Sequence, residues 1–311
     1  MPMKITRVDA TTFNSMFQKW DVPIYNSTDF TELNRAKADS IHYLIIGDGK
    51  IRFGIVLGGR NGKLLSPFSA PFGGFVTTTD QSIALTDEAV QLLIGYLREL
   101  NMEAEIALPP SLYAPEMLPK QMSALLRHGE LMFADLNYHY ELCPDASVES
   151  RMQRNARKNY RKALAQGFKI EILDRNSTAD IARAYAVIQA NRQHKGYPLR
   201  MPLADVIATA PIVDAEFMVM SLNGQDVAAA QLHRVTPEVM QVVYWGDAPG
   251  FEHLRPMNLL APEVFRHCRS LGASIVDIGP SSENGIPSPG LCAFKESVGC
   301  TPSLKPRFRL K

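Results

Sequence analysis

The feature that most narrows what this chain can fold into is an order of elements that occurs twice. Residues 41–47 (IHYLIIG) and 51–58 (IRFGIVLG) are rich in β-branched and apolar residues and flank the turn sequence DGK, so they read as a hairpin. Strand-like pieces broken by prolines and glycines cover 63–76. A helix follows over 86–100, with Thr86 as its N-cap and Asp87 and Glu88 at the positive end of its dipole. Then come a strand over 103–109, a helix over 115–128 and a strand over 130–143. The second half uses the same grammar. A strand (168–174) leads into a helix capped by Ser177 or Thr178 and running to residue 194, and three strands joined by NGQ and TPE turns cover 214–247. A helix over 257–272 ends at Gly272, and a strand covers 273–279. A loop rich in Ser, Pro and Gly, the segment CAFKESVGC and a last strand complete the chain. The halves share no visible sequence identity; what repeats is the order. The expectation is an α/β chain with mixed sheets and two similar domains, 1–145 and 146–311.

With 46% hydrophobic and 21% charged residues, 311 residues are ample for a core. A net charge of +1 argues against a surface generally coated by nucleic acid, so any anion site must be local. Cys143, Cys268, Cys292 and Cys300 form no CxxC and no metal-ligand spacing with histidine. They read as reduced thiols, with no metal site. No apolar h-region opens the chain and no run reaches a membrane span, so a soluble cytoplasmic protein is expected.

The charge is concentrated at the junction of the halves. RMQRNARKNYRK (151–162) holds six Lys or Arg and no acidic residue. At about 100° per residue these six fall within an arc of roughly 140°, while Met152, Ala156, Tyr160, Ala163 and Leu164 share the other side. This is an amphipathic helix with one packed and one basic face, ended by Gly167. No acidic residue neutralises the run at i+3 or i+4. Two readings stand: a solvated face whose arginines pair with carboxylates elsewhere, or a face for substrate phosphates, with Arg154, Arg157, Lys158 and Arg161 as candidate ligands.

A second constellation lies near the C-terminus. The helix start from Pro256 to Asn258 offers backbone N–H groups for an anion, with Arg255 beside it. Lys295, next to Phe294, reads either as a surface lysine or as a partly desolvated donor to a developing oxyanion. The segment NRQHKGYPLRM (191–201) reads as a loop whose His194, Lys195, Tyr197 and Arg200 line a cleft. His194 equally reads as a solvated helix end, Trp245 as core or stacking platform, and His233 and His267 as structural.

Together these segments resemble the Fem-type peptidoglycan-bridge aminoacyl transferases and related tandem GNAT-like N-acyltransferases. The resemblance rests on the basic helix from Arg154 to Arg161, Tyr244 and Gly246, Asn258 to Leu260, Asp277 and Gly279, and Phe294, Lys295 and Gly299. It covers most of 150–300, and SPFSAPFGGF extends it loosely into the first half. It implies a duplicated GNAT-like fold around a central cleft and acyl transfer to an amine, with a cell-envelope precursor or another amine as acceptor. Lys295 is then the oxyanion donor, and Tyr244, Asp277 or a substrate group the base. The expected partner is a phosphate-containing anionic substrate. The donor is an acyl-CoA or an aminoacyl-tRNA. Two departures bear on this. Val298 replaces the aromatic usual before the final glycine. RPMNLL replaces the glycine-containing loop that lets backbone N–H groups approach the acetyl-CoA pyrophosphate. They support an alternative: a catalytically degenerate protein that binds a nucleotide-sugar or RNA.

Overall fold

The computed structural model describes residues 2–19, 22–143 and 146–311. It forms two compact units: Met1–Asn137 with Ser282–Pro287 and Ser303–Lys311, and Tyr138–Ser281 with Ser288–Pro302. The expected boundary at residue 145 lies outside the described residues. The observed division falls after Asn137, and the end of the chain belongs to the first unit instead of the second.

The first unit contains β1 (Lys4–Val8), α1 (Ala10–Met16), α2 (Thr28–Leu33), β2 (Ser40–Gly47), β3 (Ile51–Arg60), β4 (Lys63–Ser66), α3 (Ile83–Leu100), β5 (Glu103–Ala107), α4 (Leu118–His128) and most of β6 (Glu130–Glu141). β1 to β4 pair antiparallel in sequence order, and β4 then pairs parallel with β5 across the α3 crossover. The predicted hairpin is β2–β3. α3 starts three residues before the expected cap, because Ser82, not Thr86, accepts the Leu85 N–H. Thr86 instead turns its hydroxyl back to the Ser82 carbonyl.

The second unit opens with α5 (Arg154–Leu164), then β7 (Lys169–Leu173), α6 (Thr178–Lys195), α7 (Leu203–Thr209), β8 (Glu216–Leu222), β9 (Gln225–Arg234), β10 (Val239–Asp247), α8 (Pro256–Ser270) and β11 (Ile275–Pro280). After the short β12 (Ser282–Glu283) and β13 (Ile286–Pro287), which count with the first unit, come α9 (Pro289–Ser297) and β14 (Thr301–Leu310). β7 to β10 are antiparallel neighbours, and β10 is parallel to β11 across the α8 crossover. The order of the first unit thus recurs: a strand, two helices, three strands, a crossover helix and a parallel strand. β14 departs from the halves read in the sequence. Arg307 to Leu310 pair antiparallel with Ala107 to Ala104 of β5, and a strand's allegiance follows its ladder, not its chain neighbours.

β9 shows why the second core packs closely. Ala228, Ala229 and Ala230 are all fully buried, with α6 and α8 both against the strand. A strand covered on both faces reads as an unbroken apolar run, and alanine lets the helix backbones approach. The next strand repeats the device at Gly246, where an added Cβ would lie 2.4 Å from the Asn191 side chain of α6. Asn191 is buried, and its Nδ2 donates to the Asp247 carbonyl at 2.7 Å and to Asp247 Oδ1 at 3.0 Å, so it has no room to yield. Gly246→Ala is therefore expected to cost about 1–3 kcal/mol of stability, the usual penalty for overpacking. A lower urea midpoint at unchanged slope would register it.

Candidate active site

The site is built where β10 and β11 stop pairing. Their parallel register runs only from Val239↔Ile275 to Gln241↔Asp277, and β10 carries a bulge between Val242 and Tyr244. Beyond, Tyr244 to Asp247 stays paired with Gln231 to Ala228 of β9 on its other edge, and only the edges that β10 and β11 turned to each other are left to side chains.

Lys295 supplies two of these contacts. α9 carries it inward, 4% exposed, and Nζ donates to the carbonyls of Gly279 at 2.8 Å and Pro280 at 3.1 Å. An ammonium has three N–H donors, so one remains for another acceptor. The Tyr138 ring lies 5.6 Å from Nζ, with its hydroxyl donating to Glu296. Burial pushes the Lys295 pKa down to about 8, against the opposing charge of Asp277; the positive charge of Arg192 pushes the same way as burial. Lys295 is thus still mainly an ammonium at neutral pH. The surface reading of this lysine does not hold, although Phe294 beside it is only half-buried, edge-on to Trp245 at 6.1 Å.

Asp277 is fully enclosed. Its Oδ2 accepts from Gln241 Nε2 at 2.7 Å and its Oδ1 from the Gly279 N–H at 2.9 Å. That enclosure suits a carboxylate that supports Lys295, not one that takes a proton from substrate. Tyr244 is half-buried, and its hydroxyl accepts the Arg200 N–H at 3.3 Å. Gly299 has φ +92°, and a Cβ there would meet the Arg151 carbonyl at 2.9 Å, so this motif glycine serves packing. Val298 is fully buried.

The segment expected as a loop after 191 is instead the last turn of α6 up to Lys195, and its residues diverge in role. Lys195 Nζ is held by Asp247 Oδ1 at 3.0 Å, alongside Asn191 on the same carboxylate. His194 is exposed, 3.9 Å from Glu252. Tyr197 is 40% exposed. Arg192, which the sequence reading passed over, stands between two of the expected residues, with its guanidinium 5.2 Å from the Tyr244 ring centre and 5.8 Å from that of Tyr197. Asn191, Gln241 and Tyr138 were also missed. Each sits in an ordinary helix or strand pattern, and only contacts over long sequence separations reveal it.

The expected anion site at the start of α8 is poorly furnished. Arg255 takes a left-handed conformation, Pro256 has no N–H, and the Asn258 N–H donates to the Arg255 carbonyl at 3.0 Å. These residues do not form the N–H cradle that an acetyl-CoA pyrophosphate requires. On α5, Ala156, Tyr160 and Ala163 are buried as expected, as is Met152 just before the helix, but Leu164, expected on the same face, is 49% exposed at the helix end. Arg157 is not free for phosphate: Nε donates to the Glu149 carbonyl at 3.2 Å and Nη2 to that of Met152 at 3.0 Å. Arg151 lies before the helix, over the Tyr140 ring at 4.6 Å. Arg154, Lys158 and Arg161 are exposed and make no ion pair among the described residues, which removes the reading of internal pairing for these three.

Residues 150–295 match the family model described as an acetyltransferase (GNAT) domain. The crystal structure of FemX is similar over 98% of this chain and 96% of its own, at 12% identity and a TM-score of 0.68. The fold is tandem GNAT-like. A tandem GNAT protein from the clavulanic acid biosynthesis pathway shares it at 9% identity and TM-score 0.56, over 99% of this chain and 98% of that one. So does the C-terminal domain of a putative lysylphosphatidylglycerol synthetase from Agrobacterium fabrum, at 13% identity and TM-score 0.61, over 97% and 93% of the two chains. No protein of curated function matches in sequence. In this tandem GNAT-like chain the Lys295 site lies within the GNAT-matching unit, and no helix among the described residues is long and apolar enough to cross a membrane.

The lysine gives a pH signature. Between pH 8 and its ordinary 10.5 the folded protein binds fewer protons than the unfolded chain, so stability rises with pH across this window and is lost as pH falls through it. Relative to Lys295→Met, the unmutated protein should gain roughly 3 kcal/mol from pH 8 to 10.5. Urea unfolding of both proteins at the two pH values measures the difference.

Proposed function

We propose that this protein is an N-acyltransferase that moves an acyl or aminoacyl group from an activated donor to an amine. The observation that carries the reading is a buried ammonium with one unspent N–H, at the end of the parallel strand pair of a GNAT-matching domain. A neutral amine attacks the donor carbonyl carbon, a C–N bond forms, and the carbonyl electron pair moves to oxygen. Lys295 stabilises that oxyanion, and its collapse expels the donor's thiolate or alkoxide. The amine proton leaves through Tyr244, whose hydroxyl is the less enclosed of the two candidate bases, or through a substrate group. Arg154, Lys158 and Arg161 meet phosphates of the substrate, with tRNA a candidate bearer. Similarity in fold to FemX and to a putative lysylphosphatidylglycerol synthetase supports aminoacyl transfer and a cell-envelope acceptor. The second reading, a nucleotide-sugar or RNA-binding protein without turnover, draws on the start of α8, which lacks a pyrophosphate cradle.

Lys295→Ala should lower kcat by about 10²–10³, the usual cost of losing one such donor. An acyl-transfer assay with purified protein checks this, and normal turnover by the variant removes Lys295 from the chemistry. Turnover by neither protein with any donor favours the binding reading.

Replacing Arg154, Lys158 and Arg161 with Gln should leave the melting temperature unchanged or slightly higher, since like charges on one helix face repel. Affinity for charged tRNA should fall, and binding by the unmutated protein should weaken as salt rises. A destabilised triple variant with unchanged affinity would count against a phosphate-binding face.

A further inference from the structure

Arg192 differs from the other half-buried arginines of the second unit in having a buried donor with no protein acceptor. Elsewhere in the second unit the half-buried arginines are spent on protein partners: Arg183 pairs with Asp226 and Glu171, Arg266 bonds Glu263 and the Tyr160 hydroxyl, and Arg157 bonds backbone carbonyls. Arg192 makes no ion pair and no side-chain hydrogen bond, and its Nε is buried without a partner. A guanidinium has five N–H donors in a fixed plane; the Nη donors of this partly buried residue reach solvent, but the Nε N–H is enclosed and unmet, which is costly unless something else meets it. The rings of Tyr244 and Tyr197 lie within 5.2 and 5.8 Å of it, which orients the group without using any donor. The carboxylate at the end of β10, Asp247, is taken by Asn191 and Lys195.

We propose that Arg192 binds an oxyanion of the acceptor substrate, a carboxylate or a phosphate, between Tyr244 and Tyr197. The assignment to the acceptor rests on the N-acyltransferase reading; the anion site itself does not. Its position suits the role. Arg192 lies against the ring of Tyr244, the candidate base, so an anion held there sits beside that residue. The neighbouring Tyr244 hydroxyl is already engaged by the Arg200 N–H, which fixes that side of the site. Arginine suits planar bidentate recognition of either oxyanion, whereas lysine is a point charge.

The test uses succinate and inorganic phosphate as probes, each titrated calorimetrically against the unmutated protein, Arg192→Gln and Arg192→Lys, with melting temperatures for all three. The expected result is that one probe binds the unmutated protein and at least tenfold more weakly the Gln variant, with Lys intermediate. The ligand-free Gln variant should melt no lower than the parent, because an unmet buried donor has been removed. The probe that binds tells a carboxylate from a phosphate acceptor. Binding of neither probe, or equal binding by parent and Arg192→Gln, overturns the proposal, and so does a Gln variant that melts lower with unchanged affinity. Arg192-dependent anion binding without acyl transfer would sink only the acyltransferase reading. Acyl transfer with an unchanged acceptor KM in Arg192→Gln would sink only the assignment to the acceptor.

Discussion

The early end of the β10–β11 ladder is the constraint from which the rest of the second unit follows. Backbone N–H and C=O groups inside a protein must find partners, and past Gln241↔Asp277 the two strands no longer supply them to each other. Side chains do so instead. Asp277 takes the Gly279 N–H, Lys295 donates to the Gly279 and Pro280 carbonyls, and Asn191 donates to the Asp247 carbonyl. Each of these partners belongs to a different element, so the open strand ends are also what ties α6, α9 and the sheet into one site.

This arrangement explains how an ammonium is kept in a dry place. Burial alone would favour neutral Lys295, while Asp277 and two carbonyls favour the charged form, and the balance falls near neutral pH. A group so poised remains a strong donor at pH 7 and has little solvent competing for its last N–H. Arg192 adds like charge nearby without a counter-charge of its own, an arrangement that a bound anion would relieve.

The basic helix is the complementary case of a local feature with a local explanation. Its packed face is legible from spacing because helix geometry places Ala156, Tyr160 and Ala163 together whatever surrounds them. Which cations stay free is not a matter of spacing. Arg157 and Lys158 are neighbours in sequence, yet the first is folded back onto the turn preceding the helix and the second faces outward.

The sequence by itself determined the hairpin β2–β3, a cap for α6 at Ser177 or Thr178, and the repeated order of strands and crossover helix. These rest on interactions within a few residues, where alternation, caps and turns impose their own geometry. Only the tertiary structure decided that β14 pairs with β5, that Lys195 is spent on Asp247 while Arg192 is left open, that Asp277 is enclosed, and that Lys295 is buried. Each of those outcomes depends on partners tens to hundreds of residues away, and hydrogen bonding is decided by fractions of an ångström that no local pattern encodes.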